Sequence, residues 1–207
     1  MLLSYSHRFI FIHNYRVAGT SIRKALDKYV RRPLLRRIFE KIGVGNKLSH
    51  HKWKTFPAHI KAKELRRILP ADLYDTFYKF AFVRNPWDWQ VSLYHYMLKN
   101  KSHRQHRLIS AMKSFDEYLV WRVDEGKVLQ KDFVTDSKGT MIVDFVGRYE
   151  NLSEDFLQVC EVLNINASLP HINKSPHRNY RSYYRAETRS LVEENFRADI
   201  ELFGYTF

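Results

Sequence analysis

The sequence has one cysteine, Cys160, in 207 residues. That excludes an internal disulfide and an all-cysteine metal cluster. Its neighbours Phe156, Val159, Val162 and Leu163 form an apolar helical pattern, so the thiol is read as a buried structural one. No apolar run approaches the length of a membrane span. The opening "MLLSYSHRFIFIH" has histidine and arginine inside its apolar stretch and no small-residue cleavage site, so it does not read as a signal peptide, and a reducing, cytoplasmic setting is expected. Internal repeats and low-complexity segments are also missing. Acidic residues are few: 22 Asp and Glu stand against 35 Lys and Arg, a formal charge of +13.

Apolar residues make up 44% and aromatic residues 15%, enough for a full core and too many for a disordered chain. The length suits a single domain spanning residues 1–207. The positive field attracts polyanions, among them nucleic acid, anionic lipid, acidic glycan or a highly charged cofactor, without choosing between them.

Buried-strand patterns occur at residues 8–13, in "TFYKFAFVRN" (76–85) and in "MIVDFVGRYENL" (141–152). Helical patterns follow each strand. The first runs from about Ser21 to Val30, with Thr20 or Ser21 as its N-cap. A basic amphipathic helix is expected over 31–41, and another helix over 60–69, stopped by Pro70. Pro86 starts a long helix reaching Lys99. Ser114 and Glu117 form a capping-box pattern, Asn151 or Ser153 caps a helix to about Leu163, and residues 186–205 read as one closing helix. Strands alternating with helices predict an α/β fold, a three-layer sandwich with a central parallel sheet. In such sheets ligands bind at the carboxyl ends of the strands.

Two of those strand ends carry chemistry. Asn14 to Ser21 follows a strand and opens a helix, where backbone N–H groups and the helix dipole make an anion site. Ala18 and Gly19 permit close backbone approach, the Thr20 and Ser21 hydroxyls add donors, and Arg16 adds a planar charged fork. An ordinary strand-to-helix turn reads equally well on this loop alone. In "FVRNPWDWQVSLY" (82–94), Arg84 ends a buried strand and Ser92 lies two turns into the next helix. Pairing of Arg84 with Asp88 is the plain structural alternative.

Together, "HNYRVAGTSI" and "FAFVRNPWDWQVSLY" resemble the two cofactor-binding signatures of sulfotransferases that use 3′-phosphoadenosine-5′-phosphosulfate (PAPS). The likeness is to the carbohydrate-type branch, with its bacterial members and the heparan sulfate 2-O-sulfotransferase group. It extends through the tail from "VDFVGRYENLSEDF" to "DIELFGYTF". The resemblance implies a P-loop-like phosphosulfate-binding loop, with Arg16, Val17, Ala18, Gly19, Thr20 and Ser21 holding the 5′-phosphosulfate. It implies that Arg84 and Ser92 clamp the 3′-phosphate, that Tyr149 helps shape the nucleotide pocket, and that Lys174 and Ser175 contact phosphate from a late loop. Relatives usually have lysine where this chain has Arg16, and that lysine contacts the bridging oxygen as it leaves. Arg16 is therefore the catalytic candidate at that position, keeping the charge although arginine is bulkier and cannot give up a proton.

Transfer to a hydroxyl needs a base, and histidine has a suitable pKa. Among ten histidines, His59 in "FPAHIKAKELRRIL" is the first choice, since the family's base often lies in a comparable segment; His50 and His51 come next. His13 is expected to pack beside the first loop, and Asp88 and Glu150 to order loops. His103 and His106 lack the carboxylate or cysteine companions of a metal site, and the sulfotransferase reading requires no metal. The implied acceptor is a glycan, a glycolipid or another hydroxyl compound. No specific nucleic acid partner is expected, while "HHKWK" and the basic helix offer a peripheral contact for an anionic surface. Two alternatives stay open. One is a P-loop kinase, opposed by the missing Gly-Lys-Ser ending; the other is a non-catalytic basic module for acidic polysaccharide or nucleic acid.

Overall fold

The computed structural model describes residues 1–30, 56–170 and 178–207. A four-stranded sheet runs through it in the order β1-β2-β3-β4, formed by β1 Leu2–Ser4, β2 Phe9–Ile12, β3 Tyr78–Val83 and β4 Phe145–Arg148. The three strands read from the sequence, β2 to β4, pair in parallel. An edge strand not expected from the sequence, β1, adds to β2 antiparallel. Residues 5–8 are too short a link for a parallel crossover, so the chain turns back on itself, with Arg8 in the left-handed region at φ 50°.

Side chains alternate across a strand, and in β2 and β3 both sets are buried. Phe9, Phe11, Phe80 and Phe82 face helix α1 (Gly19–Leu26) and a later helix that supplies Phe156, Val159 and Cys160. Ile10, Ile12, Ala81 and Val83 face the opposite layer with Ala62, Leu65, Tyr74, Phe133 and Phe203. A near-continuous apolar strand is what burial on two faces requires. Lys79 is the exception inside β3: its ammonium is bonded to the Tyr74 and Phe77 carbonyls and to Asp144, 2.9 Å away.

The second layer holds α2 (Ala62–Ile68) and α3 (Ala71–Thr76). Pro70 thus ends α2, as expected, and caps α3, a short helix not expected from the sequence. After β3, α4 (Pro86–Lys99) begins at its proline, with Asn85 Oδ1 accepting from Trp87 N at 3.1 Å. It packs with α5 (His106–Ser110), α6 (Phe115–Asp124) and α8 (Ala186–Asn195) around Trp87, Trp89, Tyr118, Leu119 and Phe196. Ser114 caps α6 through Glu117 N. Helix α7 (Leu152–Val162) follows β4; Asn151 occupies its cap position without a side-chain bond, and Val162 faces solvent although Cys160 is buried. The expected closing helix is two, α8 and α9 (Arg197–Phe203), broken at buried Phe196. The break lets α9 turn and bring Asp199 beneath the sheet's carboxyl edge. Among the described residues no helix is long and apolar enough to cross a membrane. The basic helix expected at 31–41 lies outside the described residues.

Gly147 in β4 lies over the buried Phe82 ring, and a Cβ there would come within 2.4 Å of it. Neither ring nor strand can yield cheaply in a packed core. Gly147→Ala is therefore expected to cost about 1–3 kcal/mol, read as a lower urea midpoint at unchanged slope. An unaltered midpoint would show that β4 moves freely past Phe82.

Candidate active site

The first loop leaves β2 at His13, whose ring stacks on Phe11 and lies against Gly19. A Cβ on Gly19 would fall 1.8 Å from His13 Nε2, so only glycine fits beneath the imidazole. Arg16 and Ala18 both adopt left-handed backbone, φ 57° and 59°, a conformation that costs an L-residue about 1–2 kcal/mol. The left-handed Ala18 starts α1, its carbonyl accepting from Ile22 N at 3.1 Å. The expected cap by Thr20 or Ser21 is therefore corrected: the helix begins at Gly19 with no side-chain cap, and both hydroxyls lie inside its first turn. Val17 is buried among the sheet phenylalanines, while Arg16, Ala18, Gly19, Thr20 and Ser21 line an open cleft.

The second loop enters the same cleft. Arg84 follows β3, is 3% exposed, and its Nε donates to Asp88 at 2.7 Å. Its guanidinium carbon lies 4.0 Å over the Tyr149 ring, a cation–π contact that fixes the plane of the fork. Arg84 Nη1 donates to the Arg16 carbonyl at 3.3 Å, and Arg16 Nε donates to Ser92 Oγ at 3.2 Å. Arg16 in turn lies 4.6 Å over Tyr96. Burial, and after it the charge of Arg84, lowers the Arg16 pKa below the ordinary guanidinium value. Parallel pairing of β2 and β3 thus brings Arg16, Arg84 and Tyr149 to the wall of one cleft, with Ser92 fully buried beneath Arg16. Lys174, Ser175, His50 and His51 lie outside the described residues.

Sequence reading missed what holds the loops together. The Gln130 side chain is fully buried. Its Oε1 accepts from Asn14 Nδ2 (3.2 Å) and Arg84 N (2.9 Å), and its Nε2 donates to the Arg84 carbonyl (2.7 Å). One amide therefore bridges both loops. The Asp199 carboxylate accepts from the main-chain N–H groups of Gln130 and Lys131, each at 2.8 Å. Glu150 accepts from Asn85 N and from the Tyr205 hydroxyl, and Trp89 Nε1 donates to the Tyr15 carbonyl at 2.7 Å. Nothing in the spacing of Gln130 marks it in the sequence.

Two imidazoles stand beside the first loop, their centroids 4.5 Å apart. His59 Nδ1 donates to the His13 carbonyl at 2.8 Å, since a carbonyl can only accept. In the neutral ring that fixes the tautomer and leaves the lone pair on Nε2. Burial lowers the His59 pKa below 6.5, partly offset by that bond. His13 is held to about 3 by burial and by His59, and its Nδ1 is buried with no hydrogen-bond partner. His13 lines the cleft; His59 packs against its ring and against Tyr15, the latter with ring centroids 4.1 Å apart. His106 Nδ1 bonds the Met97 carbonyl and His103 Nδ1 accepts from Gln105 N. Among the described residues no three His, Cys, Asp or Glu side chains gather as a metal site.

Residues 2–206 match the family model described as "Sulfotransferase family". The chain belongs to the sulfotransferase family. Its fold is similar to the crystal structure of mouse sulfotransferase SULT7A1 complexed with PAP, with a TM-score of 0.55 at 15% identity over 96% of this chain and 85% of that one. At that identity the likeness speaks for the fold. No individually curated protein matches the chain in sequence. The sulfotransferase fold thus sets the cleft at the ends of β2 and β3, where the two loops meet.

Replacing Gln130 with leucine strands Asn14 Nδ2 and both main-chain groups of Arg84. Gln130→Leu is expected to lose about 3 kcal/mol of stability and to weaken anion binding by both loops together. Calorimetric melting with and without inorganic pyrophosphate checks this; binding at the wild-type level would show that the amide does not register the loops.

Proposed function

We propose that residues 1–207 form one PAPS-dependent sulfotransferase domain that transfers the sulfuryl group to a hydroxyl of a carbohydrate or glycolipid acceptor, with His59 as base. The carrying observation is the meeting of Arg16, Arg84 and Ser92 at the carboxyl ends of β2 and β3. Two guanidiniums beside a helix start suit a cofactor with several phosphate charges. The backbone of residues 16–21 holds the 5′-phosphosulfate, Arg84 and Ser92 clamp the 3′-phosphate, and Tyr149 keeps Arg84 in plane. Lys174 and Ser175 are further candidates for phosphate contact.

His59 Nε2 takes the acceptor proton as the new oxygen–sulfur bond forms and the bond to the bridging oxygen breaks, leaving 3′,5′-ADP. His13, whose pKa burial lowers, serves in this reading as the wall against which Gly19 and His59 are set. No metal enters the step. The positive charge of the chain, +13, favours an acidic or membrane-borne glycan, and a cytoplasmic setting is part of the same reading.

Binding tests the donor side: 3′,5′-ADP should raise the melting temperature well beyond 5′-AMP, and Arg84→Ala should weaken it about 100-fold. Equal shifts from the two nucleotides would refute the reading. For the base, His59→Ala should keep nucleotide affinity and lose about 100-fold or more in turnover. Because the active form is neutral and burial lowers the His59 pKa, turnover with labelled PAPS should fall only as the pH drops below 6.5. A limb centred above 6.5, or full turnover in the variant, would transfer the role to another group. Screening glycans, glycolipids, phenols and small alcohols in that assay identifies the acceptor.

A further inference from the structure

The side chain of Arg16 reaches out from the first loop. It crosses to α4, where its Nε donates to Ser92 Oγ at 3.2 Å and its guanidinium rests 4.6 Å over Tyr96. Ser92 and Tyr96 are one helical turn apart and therefore share a face of α4. Ser92 is fully buried, so its hydroxyl is a fixed acceptor. The left-handed backbone at Arg16 turns the side chain that way, and Arg84 secures the residue by donating to its carbonyl. Held at Nε and against a ring, the guanidinium has its plane fixed, near enough to Arg84 to feel its charge. That is a fitting geometry for a dianionic phosphate, which takes parallel N–H bonds from arginine better than from the point charge of a lysine.

We propose that Arg16 reads the 3′-phosphate: it joins Arg84 and Ser92 in one clamp and sets the preference for 3′-phosphorylated nucleotides, instead of attending the bridging oxygen. This rests on the assignment of Arg84 and Ser92 to the 3′-phosphate. Arg16 is then a donor-specificity residue, and charge on the departing 5′-phosphate falls to the helix start with Thr20 and Ser21. Two guanidiniums, each oriented by an aromatic ring and that of Arg84 also paired with Asp88, line the same cleft. Burial first, and the charge of Arg84 after it, lowers the Arg16 pKa; an entering anion offsets the second of these.

The test is titration calorimetry with 3′,5′-ADP and 5′-AMP on the wild type, Arg16→Lys and Arg16→Gln. The expected result is a loss of about 10- to 100-fold in 3′,5′-ADP affinity in both variants, with 5′-AMP affinity almost unchanged. Lysine rescues little, because the lost feature is the fork and not the charge. Equal losses for both nucleotides would overturn the inference by placing Arg16 on the shared 5′-phosphate, and undiminished discrimination in the variants would overturn it too. A wild type that binds both nucleotides alike fails the underlying assignment itself, a result separable from either. Circular dichroism of each variant confirms that the comparison is between folded proteins, and Arg16→Gln stands in if Arg16→Lys loses its melting transition.

Discussion

Two positively charged loops must lie side by side at one edge of the sheet, and an uncharged group keeps them there. The Gln130 amide accepts from Asn14 and Arg84 N and donates back to the Arg84 carbonyl, so each loop's position is defined relative to the other by one rigid plane. A charged bridge would compete for the incoming anion or be neutralised by it; a buried amide does neither. The cost of burying it is met because its bonding capacity is used, and its own backbone is anchored by Asp199. The same carboxylate is desolvated enough to hold its pKa at about 6. The last helix of the chain is thereby a structural part of the site.

Around that junction, the sheet provides alignment and the helical cluster provides depth. Parallel pairing of β2 with β3 brings their exits to a common edge. The aromatic packing of α4 against α6 and α8 then fixes the face bearing Ser92 and Tyr96 opposite the first loop. Rings recur as supports for cations: Tyr96 under Arg16, Tyr149 under Arg84, Tyr205 under Arg148. An aromatic face orients a guanidinium without neutralising it, which suits a site meant to receive negative charge.

Much of this was legible in the sequence, for reasons that differ by element. The β3 run and the Pro86 helix were readable because burial on two faces and a proline at a helix start leave local marks. Arg84 and Asp88 were readable as a pair because four residues is one turn. The β1 edge strand, with only three residues, is set by tertiary pairing and leaves no period to detect. The break at Phe196 was hidden because its apolar spacing continues through it. The start of α1 was misread because Thr and Ser are good caps, whereas the fold uses a left-handed alanine. Gln130 and Asp199 were invisible since their partners are far away in the chain. Their meaning exists only once Asn14, Arg84 and α9 are brought together.

The left-handed residues at positions 16 and 18 have one more consequence. Phosphate loops rich in glycine are supple, and an anion that binds them must first freeze them. Here the two αL positions are occupied by arginine and alanine, residues with far fewer conformations to lose. The loop's shape is imposed by the folded protein in advance, against a local backbone preference, so rigidity is charged to folding and not to ligand capture. Relaxing it with glycine would remove strain yet make the receptor less selective, since a looser cradle can mould itself around anions of several shapes.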